Sequence, residues 1–158
     1  MSWQILRPEI VTFLQNITVS DVDTNKLFQE VSPTPKVRFD GYPACHVIPS
    51  ENSSDYETTS ENERLYVWTI RCFYETKSGG IQPAFEALER VVDRLMDQLD
   101  LEDMRQGNAR TIGINMPSRY TYLNLFAVPG RWGDLPDEEL LMAELTIKVR
   151  ISIDVSSP

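Results

Sequence analysis

The side chains best suited to catalysis or metal binding are one histidine, His46, and two cysteines, Cys45 and Cys72. Imidazole and thiolate groups are common zinc ligands, so these three could in principle form part of a metal site. However, Cys45 and His46 are adjacent in an extended apolar stretch, and adjacent strand residues point to opposite faces. We therefore interpret His46 as a strand residue with a partly buried ring. Both cysteines are interpreted as reduced, buried thiols, and we predict no metal site.

Carboxylates occur in close groups, which could indicate acid–base catalysis. The groups are Glu61 with Glu63, Asp93 with Asp97, Asp100 with Glu102 and Asp103, and Asp137 with Glu138 and Glu139. A catalytic pair needs unlike surroundings that separate the pKa values of its members, whereas these groups lie in polar runs and are expected to be solvated. The chain contains no phosphate-binding or nucleophile motif, and Gly79-Gly80 is interpreted as a plain turn. We predict no catalytic residues and no cofactor, and expect the protein not to be an enzyme.

Aromatic residues near the end of the chain suggest contact with another protein. Trp132 follows Arg131 in "VPGRWGDLP", a stretch bracketed by proline and glycine, and Tyr120 lies a short distance before it. Trp, Tyr and Arg dominate the energetics of protein interfaces, so these three are candidate interface residues. The alternative is that Trp132 folds back and caps the core of its own domain.

Helical spacing of apolar residues occurs in two segments. The first lies between positions 5 and 17, and because Pro8 suits a first turn, we predict a helix beginning near Arg7. The second follows Pro83, where an apolar stripe from Phe85 to Leu99 has charged residues opposite it.

Two-residue alternation predicts strands. "LYVWTIRCFYE" (65–75) is apolar on both faces and therefore central in a sheet, whereas "AELTIKVRISID" (143–154) has one buried and one wet face. We predict further extended segments at "KVRFDGYPACHVIP" (36–49), "TIGIN" (111–115) and "YTYLNLFAV" (120–128), and an exposed loop at "PGRWGDLPDEE" (129–139). This order of elements indicates an α+β fold, a mainly antiparallel sheet with α-helices packed on it, in a single domain spanning residues 1–158.

Composition narrows the possible partners. The formal net charge is −9, which argues against attraction to phosphate backbones but is compatible with a surface that DNA passes without sticking. The sequence has no apolar run near the ~20 residues that cross a bilayer and no signal peptide pattern, so we expect no membrane partner and expect the protein to stay where it is made.

A resemblance to a known family leads to more specific expectations. "GYPACHVIPSENSSDYETTSENERLYVWTIRCFYET" (41–76), the helix "AFEALERVVDRLMDQLD" (84–100) and the terminal "AELTIKVRISID" resemble the tail terminator (tail completion) proteins of long-tailed, siphovirus-like bacteriophages. The similarity covers most of residues 40–100 and, more loosely, 141–154.

The resemblance implies a tail-terminator-like fold and a structural role in the virion. It implies a homo-oligomer, a hexameric ring on top of the tail tube that stops tube polymerisation and contacts the tail tube protein and a head-completion or neck protein. DNA would pass through the channel without specific binding. The location would be the head–tail junction of the virion, after assembly in the host cytoplasm.

In this interpretation the polar residues 50–62 form a projecting acidic hairpin. Its residues Glu51, Asp55, Glu57 and Glu61 would line the channel or contact a neighbouring ring, since a negative lumen repels passing DNA. A solvated loop without a role is the alternative. For the whole protein, the alternatives are a head-completion or adaptor protein of the neck and, in a different class, a small intracellular enzyme or ligand-binding module.

Overall fold

The computed structural model describes residues 2–36, 38–56, 61–77, 79–106 and 109–154, and for residues 2, 51–56 and 61 it describes the backbone alone. The elements in chain order are α1 (Ser2–Asn16), β1 (Glu30–Ser32), β2 (Ala44–Tyr56), β3 (Glu61–Glu75), α2 (Ile81–Met104), β4 (Tyr120–Leu135) and β5 (Leu140–Asp154), with a 3-10 turn (Pro136–Glu138) before β5.

The strands form one sheet in the order β1-β2-β3-β5-β4. All neighbours are antiparallel except β1, which runs parallel to β2. The α+β prediction is therefore confirmed, and β3 has the central position that its two apolar faces predicted. The short β1 had no counterpart among the predicted strands, because three residues are too few for alternation to be visible in a sequence.

Both helices cover the same face of the sheet. α2 lies across β3, β4 and β5, whereas α1 lies against β1 and β2. The covered face of β3 and β5 presents cross-strand pairs such as Trp68 with Ile147, and every member of this core is nearly inaccessible to water. Removing a large apolar side chain from water contributes about 1.5–3 kcal/mol, so this one interface accounts for most of the favourable burial.

The sheet face opposite the helices is polar on β5, from Glu144 to Ser152, and has both polar and apolar residues on β3. Ion pairs join neighbouring strands there: Arg71 with Glu144 at 2.9 Å, and Arg150 with Glu63 at 2.8 Å. The predicted alternation of β5 is confirmed, since its residues from Ala143 to Ile153 are buried at every second position.

The start of α1 differs from the prediction. The helix begins at Ser2, and Pro8 lies inside it rather than in its first turn. An internal proline removes one backbone hydrogen bond, which opposes helix formation. Contacts beyond the helix compensate for this loss, because Trp3 packs edge-on against Tyr66 at 5.0 Å and Trp68 at 4.7 Å between ring centroids.

Two further predictions were wrong. The segment 111–115, expected to be a strand, forms turns instead, because its backbone N–H groups donate to helix carboxylates and not to a neighbouring strand. The segment 129–139, expected to be a loop, belongs to β4 as far as Leu135. β4 is an edge strand and has a bulge between Pro129 and Trp132, which is a position where a sheet tolerates proline.

The described residues of the acidic segment 50–62 lie within the sheet. Its backbone pairs Glu51 with Val67 and Asp55 with Glu63, and β5 accompanies β3 to the pair Glu61–Asp154. Glu51 and Asp55 therefore belong to β2 and Glu61 to β3. Glu57 lies outside the described residues.

The two cysteines are direct cross-strand partners, both fully buried and both free. The expectation of buried thiols is confirmed. Burial raises the pKa of the Cys72 thiol to about 12. Burial also raises the pKa of Cys45 well above its usual value, and the neighbouring Cys72 adds to this effect.

This environment predicts inert thiols. A water-soluble aromatic disulfide should react with Cys45 and Cys72 at least about a hundredfold more slowly than with a free thiol, because the thiolate is the attacking species. In denaturant both thiols should react at once, which can be followed by the absorbance of the released thiolate. Rapid labelling of either cysteine in the folded protein would contradict the burial.

Candidate interaction surface

The outer edge of the sheet is formed by β4, and a bulge shapes its second half. Gly130 and Arg131 together oppose the single residue Glu144 of β5. A Cβ atom on Gly130 would lie 2.8 Å from the Glu144 carbonyl oxygen, so the close approach of the two strands requires glycine. The bulge leaves the Arg131 side chain 76% exposed, with its guanidinium 3.7 Å from the Glu144 carboxylate.

Trp132 packs on its own domain, as the alternative interpretation predicted, and is still partly exposed. Its ring lies 5.2 Å from the ring of Phe85 in α2, so it packs on its own domain. It nevertheless remains 41% exposed, and Phe85 is similarly exposed. The two rings therefore form an aromatic patch at the sheet edge that water reaches from one side.

Tyr120 does not have the exposure expected of an interface residue. It is only 9% exposed and belongs to the hydrophobic core. The reason is register: Tyr120 pairs with Ile153, which lies on the face that the helices cover. An exposed contact through this side chain is thus contradicted, whereas Arg131 and Trp132 are both accessible.

Two buried carboxylates, Glu9 and Glu102, are not among the residues predicted from the sequence, and the group that contains Glu102 is predicted to be solvated. Glu102 accepts hydrogen bonds from the N–H groups of Thr111 at 2.6 Å and Ile112 at 2.7 Å, and Arg105 donates to its other oxygen at 3.2 Å. Glu9 accepts from Gly113 and Asn115, each at 2.9 Å.

A third carboxylate completes this set. Asp103 accepts from the Tyr122 hydroxyl at 2.8 Å and from the Leu125 N–H at 2.7 Å. We call Glu9, Glu102 and Asp103 the carboxylate clamp, because together they attach the segment before β4, and β4 itself, to the two helices. Their spacing carried a signal: Glu9 lies beside Ile10, and Glu102 continues the buried positions of α2 one turn beyond Leu99.

His46 is buried on β2, as a strand histidine, opposite Arg71. The Lys36 N–H donates to its Nδ1 at 3.0 Å, and the ring packs edge-on against Phe73. Burial is the main cause that lowers the pKa of His46 from its usual 6.5. The Lys36 carbonyl oxygen, 2.9 Å from Nδ1, opposes this shift, and the Arg71 charge adds to it.

This histidine predicts a pH dependence of stability. Because the pKa of His46 is lower in the folded state, the unfolded chain binds more protons below about pH 6.5, and the free energy of unfolding should fall as the pH drops through that window. Urea unfolding at several pH values, compared with His46→Asn, measures the contribution. The Asn amide oxygen can replace Nδ1 as acceptor and does not titrate. Identical pH slopes for the two proteins between about pH 5 and 7 would contradict the assignment.

A surface cavity of about 570 Å³ lies between α2 and the segment that follows α1. Its described lining includes Lys26 and Arg90 as the charged groups, with apolar residues such as Leu27 and Val91, and it has no carboxylate, thiol or histidine. A second cavity, of about 350 Å³, has charged residues of both signs around Tyr42. The larger cavity thus lacks the paired acid and base that proton-transfer catalysis uses.

Two further features are absent from the described residues. Within them, no three His, Cys, Asp or Glu side chains are grouped so that they could hold a metal ion. Neither helix, over the ranges that the structure describes, is both long and apolar enough to cross a membrane.

Comparison with known proteins reveals a shared fold. Twenty-two chains of solved structures match it. One belongs to the virion of a native gene transfer agent (GTA) particle: the sequence identity is 11%, the TM-score is 0.51, and the match covers 78% of each chain. No family model matches the sequence, and no curated protein matches it. The fold of this protein is therefore also the fold of a chain in a virion.

Proposed function

We propose that this protein is a structural component of a phage virion and acts as the tail terminator. In this role it forms a hexameric ring on the last ring of the tail tube, stops tube polymerisation and joins the tail to the neck of the head. The observation that carries the proposal is the fold shared, over 78% of each chain, with a chain in the virion of a gene transfer agent particle. The family resemblance of residues 41–76, 84–100 and 143–154 supports the finer assignment.

The surface of the molecule supports a role in assembly. A ring arises when a head-to-tail contact closes after a fixed rotation, and an edge strand with exposed aromatic residues suits such a contact. β4 is such a strand, and Arg131 and Trp132 lie accessible at its bulge. The proposal requires no substrate and no cofactor, and in it the protein is not an enzyme.

The acidic residues of segment 50–62 have a proposed role in the ring. Glu51, Asp55, Glu57 and Glu61 would line the channel or contact the next ring, where negative charge keeps DNA from adhering during passage. We expect the monomer to stay folded when all four are replaced by Gln, because the change removes charge and keeps a polar side chain at each position. Infectivity should fall. Unchanged infectivity of the folded variant would remove this role from the four residues.

Electron microscopy of particles assembled without the protein tests the main proposal. Loss of a terminator should give tail tubes of uncontrolled length, because nothing stops polymerisation. Loss of an adaptor or head-completion protein would instead give tails of normal length that do not join heads, and would contradict the terminator role. Complementation with the wild-type chain, which should restore normal length, serves as the control.

A further inference from the structure

The outer side of α2 carries a line of carboxylates. At about 100° per residue, five exposed acidic residues fall within one narrow stripe of the helix surface, directly opposite its buried face. They are Glu86, Glu89, Asp93, Asp97 and Asp100. Met104 continues the same line and is strongly exposed. We call these five carboxylates the acidic stripe.

Cations near the acidic stripe reduce its charge only in part. Arg90 is exposed beside it. Arg94 is directed away, since its guanidinium donates to the Thr18 carbonyl oxygen at 2.9 Å and contacts Asp21 at 3.4 Å. Five exposed carboxylates thus remain with a single exposed guanidinium on this helix.

The sheet face that the helices leave uncovered carries positive charge on β4 and β5. There Arg131, Lys148 and Arg150 provide positive charge, and Phe126 and Val128 are exposed apolar residues of the edge strand. The Lys148 ammonium lies over the Phe126 ring, 5.8 Å from its centroid. We call these five residues the β4–β5 surface.

Carboxylates neutralise part of this charge. Glu144 lies between Arg71 and Arg131, and Glu63 pairs with Arg150. Lys148 has no ion pair among the described residues and keeps its charge for an external partner. On β4 and β5 themselves, the described carboxylates that face away from the helices are Glu144 and, at the end of β5, Asp154.

The acidic stripe and the β4–β5 surface point in opposite directions. α2 covers one face of the sheet, with the stripe on its outer side, and the β4–β5 surface belongs to the uncovered face. Because the acidic and the basic surface lie on opposite sides, they cannot contact each other within one molecule. The two surfaces can contact each other only between copies, in a head-to-tail arrangement.

The two surfaces also match in length. From Glu86 to Asp100 the stripe spans about 21 Å at 1.5 Å per residue. From Glu144 to Arg150 the strand spans about 20 Å at 3.3 Å per residue. At the end of the stripe, exposed Leu101 and Met104 provide apolar area for Phe126 and Val128.

We propose that the β4–β5 surface of one copy binds the acidic stripe of a second copy. Repetition of this contact supplies the subunit interface of the ring, so the inference rests on the proposed function for its biological setting. The opposite charges of the two surfaces attract and orient the second copy. Two acidic stripes, or two β4–β5 surfaces, repel each other, which disfavours a symmetric dimer through either surface.

Two charge-reversal variants test the contact. One is Arg131→Glu with Lys148→Glu, and the other is Asp93→Lys with Asp97→Lys. Mass photometry and sedimentation should show salt-sensitive oligomers of the wild type between about 50 and 500 mM NaCl. Each variant alone should associate at least about tenfold more weakly, because its reversed surface repels its partner.

Mixing the two variants gives the sharpest result. In an equimolar mixture each reversed surface meets a reversed partner and each native surface a native one, so association should return to near the wild-type level. Variants with the same net charge change elsewhere are the controls: Arg38→Glu with Lys77→Glu, and Asp137→Lys with Glu138→Lys. Both controls should associate like the wild type, and circular dichroism should show all the proteins folded.

Several outcomes would overturn the inference. They are a monomeric wild type throughout, a mixture no more associated than its components, and controls as weak as the variants. Binding of double-stranded DNA that is lost in the Arg131→Glu, Lys148→Glu variant, without self-association, would assign the β4–β5 surface to phosphate and also overturn it. The proposed function is judged separately, since tails of uncontrolled length in particles lacking the protein would support a terminator whichever surfaces form its ring.

Discussion

Replacing Glu102 by Gln is expected to lower the free energy of unfolding by about 3 kcal/mol, which for a chain of this size is roughly 10 °C in the midpoint of thermal unfolding. Glu102 is fully buried and accepts three hydrogen bonds, two of them from the adjacent N–H groups of Thr111 and Ile112. A Gln side chain has one acceptor oxygen, so its amide group must face either these N–H groups or the Arg105 guanidinium. The amide NH2 group then meets either the two N–H groups or the partly exposed guanidinium, and those donors lose their acceptor.

Glu89→Gln is the matched control, because Glu89 is exposed on the same helix. Its substitution should change stability by no more than about 0.5 kcal/mol. Urea and thermal unfolding measure both variants. Equal stability of the two would contradict a structural role for the carboxylate clamp. Because the clamp holds the segment before β4, the Glu102 variant should also exchange the amide hydrogens of residues 111–113 faster than the wild type.

Replacing Trp68 by Ala is expected to cost about 4 kcal/mol. Trp68 is fully buried at the centre of the sheet, paired with Ile147, and Trp3 packs edge-on against its ring. Removing the indole leaves a cavity and also removes the surface on which the start of α1 packs. We therefore expect lost helicity at the N-terminus in addition to the lost stability, visible by circular dichroism and by hydrogen exchange.

Trp68→Phe separates packing from hydrogen bonding. The indole N–H of Trp68 has no hydrogen-bond partner among the described residues. A Phe side chain is smaller than the indole, but its introduction breaks no hydrogen bond to these residues. We expect this variant to lose less than about 1.5 kcal/mol. If the Ala and Phe variants were equally unstable, the cost would not come from the cavity and the packing explanation would be wrong.

The contact between the acidic stripe and the β4–β5 surface explains how copies of an acidic protein can associate. With a net charge of −9, copies repel one another at long range. Local complementarity must overcome this repulsion, which predicts association that is specific in orientation and sensitive to charge placement as well as to total charge. The charge-matched control variants distinguish these two effects.

Periodicity in the sequence was sufficient to predict β3, β5 and α2. Alternation in residues 65–75 and 143–154 predicted the central strand and its buried neighbour, and helical spacing after Pro83 predicted α2. These patterns can be recognised in a sequence because a long helix or strand places apolar residues against the core at every repeat. The buried cysteines followed from the same logic, since Cys45 and Cys72 each lie within such a pattern.

Residues whose partners are distant in sequence were predicted poorly. The segment 111–115 has the composition of a strand, but its N–H groups donate to Glu9 and Glu102, and Glu9 is about a hundred residues away along the chain. The segment 129–135 has the composition of a loop, but pairing with β5 makes it a strand. In both cases a tertiary hydrogen bond outweighed a weak local preference.

The sequence by itself determined the class of fold, the central strand and the main helix, because each depends on local spacing or on composition. Only the tertiary structure decided that Tyr120 is buried while Trp132 remains accessible, that Glu102 is a buried acceptor, and that acidic and basic surfaces lie on opposite sides of the molecule. These properties depend on strand register and on which face of the sheet the helices cover, and a shift of one residue in register would reverse them.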